Sequence, residues 1–133
     1  MNEEQLLAQG ADQYMSVAQI EFFKDRLHQR MQALRDRIAD HQSNCKIERH
    51  ADAADNASVE EVREKAMRLI DLDNRTLLQV RAALLAIEDD QYGFCALSGE
   101  EIGLKRLLLI PESLLSVDAM SASEAMNRHM RAA

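Results

Sequence analysis

The sequence is poor in the residues that build cross-linked or sheet-rich proteins. Its 133 residues include two cysteines, one proline, four glycines and no tryptophan. Two thiols are too few for a disulfide framework or a four-thiolate metal site. Scarce proline and glycine, with abundant alanine, leucine, glutamate, arginine and glutamine, favour long helices over sheet. We therefore expect a mostly α-helical protein in which Cys45 and Cys95 are reduced and unpaired.

The chain also lacks a net positive charge and long apolar runs. The formal net charge is -7 at pH 7, so the basic surface that neutralises nucleic-acid phosphates is missing. No run of about 18 apolar residues is present, and the first residues do not have the basic and then apolar layout of a signal peptide. We expect a cytoplasmic protein, without membrane attachment or direct sequence-specific DNA binding, whose partner is a basic protein surface.

Recognisable catalytic motifs are absent as well. The sequence has no glycine-rich phosphate loop, no serine in a nucleophile elbow and no His/Glu pair at zinc-protease spacing. Its four histidines are scattered along the chain. We therefore predict that the protein is not an enzyme and uses no cofactor.

Two long heptad-like patterns dominate the first two thirds of the chain. Ser16 and Gln19 form a capping box. Apolar and seam residues then recur at steps of three and four: Ile20, Phe23, Leu27, Met31, Leu34, Ile38, His41 and Cys45. A second capping box, Ser58 with Glu61, precedes a second series: Val59, Val62, Ala66, Leu69, Asp73, Thr76, Val80, Ala83 and Ile87. The two patterns predict an antiparallel coiled-coil hairpin over residues 16–90, with arms of roughly 45 Å.

Small and acidic residues separate the two patterns. Residues 51–58 read ADAADNAS and contain no large apolar side chain, so they cannot form core. Asp52 and Asp55 have the spacing that would place both carboxylates on one side of a helical turn. Asp and Asn are also ordinary turn and cap residues. The residues alone leave both interpretations of this tip open.

A compact globule is predicted at residues 91–120, which hold three of the four glycines and the only proline. Gly93 and Gly99 flank a short apolar segment suited to a hairpin. Residues 104–110 are apolar enough to be buried or to form a strand.

The two ends of the chain are expected to differ from each other. Residues 1–15 have no sustained period, which predicts a loose segment with at most one short helical turn. Ser121 gives a start signal for a last helix over 121–133. We expect this helix to pack on the globule through Ala125, Met126 and Met130.

Several of these features together resemble the DksA/TraR family of RNA polymerase-binding transcription factors. The hairpin tip of that family carries Asp-x-x-Asp-x-Ala, matched here by Asp52, Asp55 and Ala57. The next motif of that family is aromatic-Gly-aromatic-Cys, matched here by residues 92–95. The number of residues between the tip and this motif matches the family without a gap. Further matches are Gly99, Glu101, Ile102, Gly103, Lys105, Arg106 and Pro111. The resemblance covers residues 14 to about 120.

The chain departs from the zinc-bearing members of that family, which hold one metal with two C-x-x-C motifs. The corresponding positions are Cys95, Ser98, Ser116 and Ala119. A hydroxyl or a methyl group does not replace a thiolate in a tetrahedral zinc site. The resemblance is therefore to zinc-independent, cysteine-poor DksA paralogues thought to serve when zinc is scarce. Leucines are expected to supply packing in place of the metal: Leu97, Leu107, Leu108, Leu109, Leu114 and Leu115.

The resemblance implies a monomer whose acidic tip enters the secondary channel of RNA polymerase. There it would alter open-complex stability at sensitive promoters such as ribosomal RNA promoters, as part of the stringent response. Lys105 and Arg106 would contact the rim of the channel.

The alarmone ppGpp is a further partner that the resemblance implies at the polymerase interface. Basic residues of DksA proteins help to hold it, and their places fall here on Gln79, Ile110 and Met120. None of the three is cationic, so we expect a weaker direct dependence on ppGpp.

Two other functions fit the same residues. A transcript-cleavage factor also carries an acidic hairpin tip, which helps to hold a second magnesium ion for RNA hydrolysis. A coiled-coil adaptor would dimerise through its seam and use the tip only as a turn. Cleavage of RNA in a backtracked complex would identify the first, and self-association without polymerase binding the second.

Overall fold

The computed structural model of the protein describes residues 1–48 and 56–132, and these are mostly helical. Within them the chain forms five α-helices: α1 (Glu3–Ala8), α2 (Val17–Glu48), α3 (Asn56–Glu88), α4 (Leu104–Leu109) and α5 (Val117–Ala132). A single 3-10 turn spans Ala11–Gln13. The described part of the chain has no β-strand, only an isolated antiparallel bridge between Phe94 and Glu101. The mostly α fold class, with two long helices that pack together as a hairpin, is confirmed.

The chain divides into two compact units, which we describe one at a time. The hairpin unit is His28–Arg81, and the globular unit combines Met1–Leu27 with Ala82–Ala133. Neither contains a described helix that is both long enough and apolar enough to span a membrane.

The hairpin unit follows most of the predicted seam. Its described buried apolar side chains are Leu34, Ala66, Leu77 and Val80. Leu77 was not predicted to be buried, and its predicted neighbour Thr76 is half-buried. Four further seam positions of α2 are half-buried: Met31, Ile38, His41 and Cys45. Val62 departs from the prediction, because its side chain is 47% exposed. Val59 and Arg63 are the half-buried residues at this end of α3, so the inward face has rotated away from Val62.

One charged layer interrupts the apolar seam of the hairpin unit. Asp73 on α3 is only 2% exposed. Its Oδ1 accepts a hydrogen bond from Nη2 of Arg37 on α2 at 2.9 Å. Oδ2 is also buried and has no hydrogen-bond partner among the described residues. The Arg37 side chain, by contrast, remains 56% exposed.

Helix α3 begins earlier than its predicted capping box. Its first residue is Asn56, so Ser58 is already the third helical residue instead of the cap. Ala57 has the highest intrinsic helix propensity of any residue type, which favours this earlier start.

Aromatic and aliphatic side chains fill the core of the globular unit. Phe23 and Tyr92 are almost fully buried, and their ring centroids lie 5.8 Å apart. The remaining buried apolar side chains are Leu6, Leu27, Ala83, Cys95, Ile102 and Leu107. Full burial of a large apolar side chain stabilises a fold by roughly 1.5–3 kcal/mol. This core therefore contributes much of the stability of the unit.

The N-terminal segment is more regular than predicted. In the capping box of α1, the Gln5 N–H donates to Asn2 Oδ1 at 2.8 Å, and the Asn2 N–H donates to Gln5 Oε1 at 3.0 Å. Leu6 is completely buried, so the first helix is anchored in the core. The expectation of a loose segment over residues 1–15 is therefore wrong.

The start of α2 uses the predicted residues in a slightly different arrangement. The Gln19 N–H donates to Ser16 Oγ at 3.4 Å, while Gln19 Oε1 accepts from the Met15 N–H at 3.0 Å. The amide nitrogen of the same side chain donates to Gln9 Oε1 at 2.8 Å. Gln19 therefore ties the helix start to the N-terminal segment and is fully buried.

The apolar segment 104–110 forms the short helix α4 and not a strand. Leu107 is its buried residue, whereas Leu109 is 83% exposed. Leu97 is also exposed, at 69%. Leu104, Leu108, Leu114 and Leu115 are half-buried. A six-residue helix can turn only one face inward, which leaves Leu109 outside, and Leu97 lies in an exposed turn before this helix. The expectation that Leu97 and Leu109 replace the metal by packing is therefore wrong.

Helix α5 begins at Val117, four residues before the predicted start at Ser121. The hydroxyl that caps it belongs to Ser116, whose Oγ accepts from the Ala119 N–H at 3.1 Å. The three side chains expected to pack on the globule, Ala125, Met126 and Met130, are exposed. That part of the prediction is wrong.

Candidate functional site

The predicted acidic tip is described only at its C-terminal edge. Asp52 and Asp55 lie outside the described residues. Ala57 is the second residue of α3 and is exposed. The assignment of a functional tip to these three residues therefore stays a prediction.

The four former metal-ligand positions belong to two segments that the globular unit brings together. The Ala96 N–H donates to the Leu114 carbonyl at 2.8 Å, which joins the segment of Cys95 and Ser98 to that of Ser116 and Ala119. The first segment closes on itself, since the Gly99 N–H donates to the Cys95 carbonyl at 2.9 Å. The second is closed by the cap of α5. One backbone hydrogen bond thus joins the two segments that carry the predicted metal positions.

The Cys95 sulfur contacts both of these segments. It is buried, and the donors that act on it are the Ser98 hydroxyl and the backbone N–H groups of Ser116, Ser98 and Leu97. The Ser98 hydroxyl, followed by the Ser116 N–H, lowers the pKa of the Cys95 thiol to about 6, because hydrogen bonds from these donors favour the thiolate.

Zinc does not fit this set of residues. One thiolate, two hydroxyls and one methyl group cannot supply the four nitrogen or sulfur ligands of a structural site. Across the residues that the structure describes, no cluster of three or more His, Cys, Asp or Glu side chains is placed to hold a metal ion.

Tyr14 is a structural residue of this region that the sequence analysis missed. Its hydroxyl donates to the Gly93 carbonyl at 2.5 Å and accepts from the Gly103 N–H at 2.9 Å. The ring meets Phe94 edge-on at 5.7 Å. Burial raises the pKa of the Tyr14 hydroxyl, which therefore stays protonated at neutral pH. Tyr14 thus links Gly93 and Gly103, which lie on either side of the β-bridge between Phe94 and Glu101. In the sequence, Tyr14 was marked only by its position at the start of the family resemblance.

A second tyrosine hydroxyl closes the same unit. Tyr92 donates to the Pro111 carbonyl at 2.7 Å, and burial strongly raises the pKa of this hydroxyl. The aromatic residue of the family motif thus links the end of α3 to the segment that follows α4.

The two predicted rim residues have different environments. Lys105 on α4 is exposed. Arg106 is half-buried, and its Nε donates to Ser113 Oγ at 3.2 Å and to the Leu115 carbonyl at 3.1 Å. Arg106 therefore shapes the segment before α5, a role that the sequence did not reveal.

The three positions associated with ppGpp are all exposed to solvent. Gln79 lies on α3, Ile110 follows α4 and Met120 lies on α5. Arg75 and Arg81 are exposed cations on α3 near Gln79 in sequence.

Two curated relatives are similar to this chain over most of their length, although no family model matches it. The RNA polymerase-binding transcription factor DksA of Caulobacter vibrioides is 34% identical over 119 residues, which cover 86% of this chain and 82% of the relative. The protein of the same name from Escherichia coli K12 is 27% identical over 121 residues, with coverages of 90% and 80%.

A solved structure is similar to the chain as well. Transcription factor DksA2 from Pseudomonas aeruginosa matches it with a TM-score of 0.85 and 37% sequence identity. The match covers 96% of this chain and 100% of that one. Sequence identity, coverage and fold therefore agree, and this chain belongs to the DksA family.

Proposed function

We propose that this protein is a transcription regulator that binds RNA polymerase directly and inserts the segment carrying Asp52 and Asp55 into the secondary channel. The observation that carries the proposal is the similarity, over most of the chain, to relatives named RNA polymerase-binding transcription factors. The Asp-x-x-Asp-x-Ala sequence between α2 and α3 supports the assignment of the tip. In this proposal the bound factor alters open-complex stability at promoters such as ribosomal RNA promoters during the stringent response.

The proposed mechanism is electrostatic and not catalytic. A carboxylate placed near the polymerase active site competes for basic side chains and perturbs the field around the magnesium ions. The factor shifts promoter complexes only to the extent that it binds one of their states more tightly than another. Ala57, which is small and exposed, allows close approach beside the carboxylates. The relatives are likewise named as transcription factors and not as enzymes.

The remaining segments have supporting roles in this proposal. Residues 16–90 form the inserted hairpin with its tip at 51–58, and residues 91–120 form a zinc-finger-like globule without zinc. The C-terminal residues 121–133 and Lys105 contact the outer rim, while residues 1–15 brace the globule. The factor acts in the cytoplasm, where RNA polymerase is found, as a monomer.

The hydrogen-bonded former metal site suits this protein to zinc shortage. A structural zinc contributes folding free energy that is lost when the metal is removed. Here the backbone hydrogen bond from Ala96 to Leu114 and the buried Cys95 side chain connect the two segments without a metal. We propose that the factor keeps its activity when zinc-dependent relatives lose theirs, and that the non-cationic Gln79, Ile110 and Met120 weaken its direct response to ppGpp.

Transcription in vitro from a ribosomal RNA promoter tests the proposed tip. We expect the parent protein to inhibit transcription and Asp52→Asn/Asp55→Asn to lose inhibition while still competing for polymerase. The matched control is Asp40→Asn/Asp71→Asn, which removes the same charge from exposed positions on α2 and α3. Full inhibition by the tip variant would contradict the proposal. RNA cleavage in backtracked complexes would identify a cleavage factor instead.

A further inference from the structure

The buried carboxylate of the hairpin unit is poorly suited to a purely stabilising role. Asp73 is 2% exposed, and only one of its two oxygens has a hydrogen-bond partner among the described residues. Burying a charge with incomplete pairing opposes folding, and replacing such a pair by apolar side chains is often neutral or stabilising. Polar residues on a coiled-coil seam instead specify which register the helices adopt.

We propose that the Arg37–Asp73 pair fixes the register of α2 against α3, and so positions the ends of the two helices from which residues 49–55 extend. The effect of this positioning on transcription rests on the proposed function. The register itself can be measured without polymerase.

The residues around Arg37 explain why one register is favoured. A shift of one helical turn, about 5 Å, places Asp73 opposite Leu34 in one direction and Asp40 or His41 in the other. None of these offers the fixed positive charge and planar donors of arginine. Arg35 lies two residues before Arg37, about 200° around the helix, and is exposed, so it does not take the place of Arg37 on the seam. The next arginine toward the start of α2 is Arg30, seven residues from Arg37, which requires a shift of about 10 Å. Neighbouring registers therefore leave the buried carboxylate without its partner.

Apolar packing alone specifies the register weakly on the side of the pair toward residues 49–55. On that side Ala66 is the one buried apolar side chain among the described residues of the hairpin unit. Ile38, His41, Cys45, Leu69 and Ile70 are only half-buried, and Val62 is exposed. Leu34, Leu77 and Val80 form a firmer core on the other side of the pair. The Arg37–Asp73 pair thus lies where apolar packing along the seam begins to fix the register less strongly.

Disulfide trapping in the full chain reads the register directly. Cys45 lies eight residues after Arg37, and position 65 lies eight residues before Asp73, so Ala66 is the buried α3 residue nearest to Cys45 in the observed register. Ala66→Cys therefore reports that register. Arg63→Cys and Leu69→Cys, at half-buried positions on either side of Ala66, report shifts of about one turn. Mass spectrometry after mild oxidation distinguishes these disulfides from any that involve Cys95.

We expect the probe at position 66 to form its disulfide with Cys45 at least about tenfold more efficiently than the other two probes. This ratio is the one expected if the alternative registers are minor conformations. In an Arg37→Met/Asp73→Leu background the three yields should approach one another, while circular dichroism shows that the helices remain. The matched control, Arg35→Met/Asp71→Leu, makes the same two replacements at exposed positions on α2 and α3 and should leave the preference unchanged.

An unchanged preference for position 66 in the apolar background would overturn the proposal, because the apolar seam and the segment that connects the helices would then be enough to fix the register. If that variant does not fold, Asp73→Asn provides the same test, since it keeps the size of the side chain but removes its charge. We expect a reduced preference there too, and a preference equal to that of the parent would overturn the proposal.

The functional consequence has a separate measurement. The folded Arg37→Met/Asp73→Leu variant should still compete for polymerase but inhibit transcription several-fold less than the parent. Full inhibition by a variant with mixed registers would overturn the positioning role. A parent protein that does not inhibit transcription would refute the proposed function and leave the trapping result unaffected.

Discussion

The globular unit and the hairpin unit use buried polar groups in opposite ways. In the globular unit, the hydroxyls of Tyr14 and Tyr92 both donate to backbone carbonyls, and the buried Cys95 thiol faces the Ser98 hydroxyl and backbone N–H groups. In the hairpin unit, half of the Asp73 carboxylate is buried without a partner among the described residues. Satisfied groups stabilise a structure, whereas a partly satisfied charge opposes folding and discriminates between arrangements. Buried polar groups therefore support the packing of the globular unit, whereas in our proposal the charged pair of the hairpin unit selects its register.

The largest expected effect comes from the core of the globular unit. Phe23→Ala removes a fully buried ring that contacts Tyr92 and should lower the free energy of unfolding by about 3–5 kcal/mol. Phe22→Ala is the control, because Phe22 is only half-buried. Chemical denaturation measures both. Equal losses in the two variants would mean that the core is not centred on Phe23.

Breaking the charged layer of the hairpin unit should have the next largest effect. Arg37→Met alone leaves the Asp73 carboxylate buried without its partner, which should cost about 1–3 kcal/mol. Adding Asp73→Leu should restore most of that loss, because no buried charge remains. Thermal and chemical denaturation of the two variants test this. If the double variant is less stable than the single one, the pair is itself stabilising and the contrast between the units fails.

Removing one satisfied hydroxyl from the globular unit should have a smaller effect. Tyr14→Phe keeps the ring against Phe94 but loses the bonds to Gly93 and Gly103, which should lower the free energy of unfolding by about 1 kcal/mol. Chemical denaturation measures this loss. Tyr14→Leu removes the aromatic ring as well, so the difference between the two variants gives the contribution of the ring. No loss in Tyr14→Phe would mean that water satisfies both backbone groups equally well.

The lowered pKa of the Cys95 thiol should make the free energy of unfolding depend weakly on pH. Its pKa is lowered from the ordinary value of 9.0 to about 6 in the folded protein, so the unfolded chain binds more protons between these values. The free energy of unfolding should therefore rise from pH 6 to pH 9, and this contribution should be lost as the pH falls through 6. Denaturation under reducing conditions should show a shallower rise in Cys95→Ser, with Cys45→Ser as the control. Identical slopes in parent and Cys95→Ser would contradict the assigned thiolate.

Chelation should have no effect at all. Three of the four former ligand positions lack a thiolate, so a strong chelator should leave the thermal midpoint and the transcriptional activity unchanged. Metal analysis of the purified protein should find no stoichiometric zinc. One tightly held zinc per chain would show that the former site still binds metal.

The sequence predicted the parts of the fold that depend on a long period. Phe23, Leu27 and Leu34 are buried where the heptad pattern placed them, because errors at single positions do not change a pattern that is repeated many times. Val62 shows the limit of this reasoning, since one position near the end of a helix can turn outward.

The globule could be predicted only in outline, because its segments are too short to have a period. Leu97 and Leu109 looked like core by composition but are exposed. The start of α5 was placed at Ser121 instead of beside the Ser116 cap, since either serine can cap a helix. The bridge made by Tyr14 joins residues far apart in sequence, which local patterns cannot reveal.

Less of the candidate site than of the fold could be predicted from the sequence and checked in the structure. The segments of Cys95 and Ser116 are joined by a backbone hydrogen bond, but their assignment as former metal positions stays a prediction. The contacts of Arg106 became visible only in the structure. Asp52 and Asp55 lie outside the described residues, so their role depends on family membership and on experiment.

The lifetime of open complexes at a ribosomal RNA promoter shows whether the acidic tip destabilises them without zinc. Preformed complexes are challenged with a competitor, and their decay is followed with and without the purified protein in the presence of a zinc chelator. We expect a shorter lifetime with the parent protein and with Asp40→Asn/Asp71→Asn, but an unchanged lifetime with Asp52→Asn/Asp55→Asn. An unchanged lifetime with saturating parent protein, or equal shortening by the tip variant, would refute the proposed role of the tip.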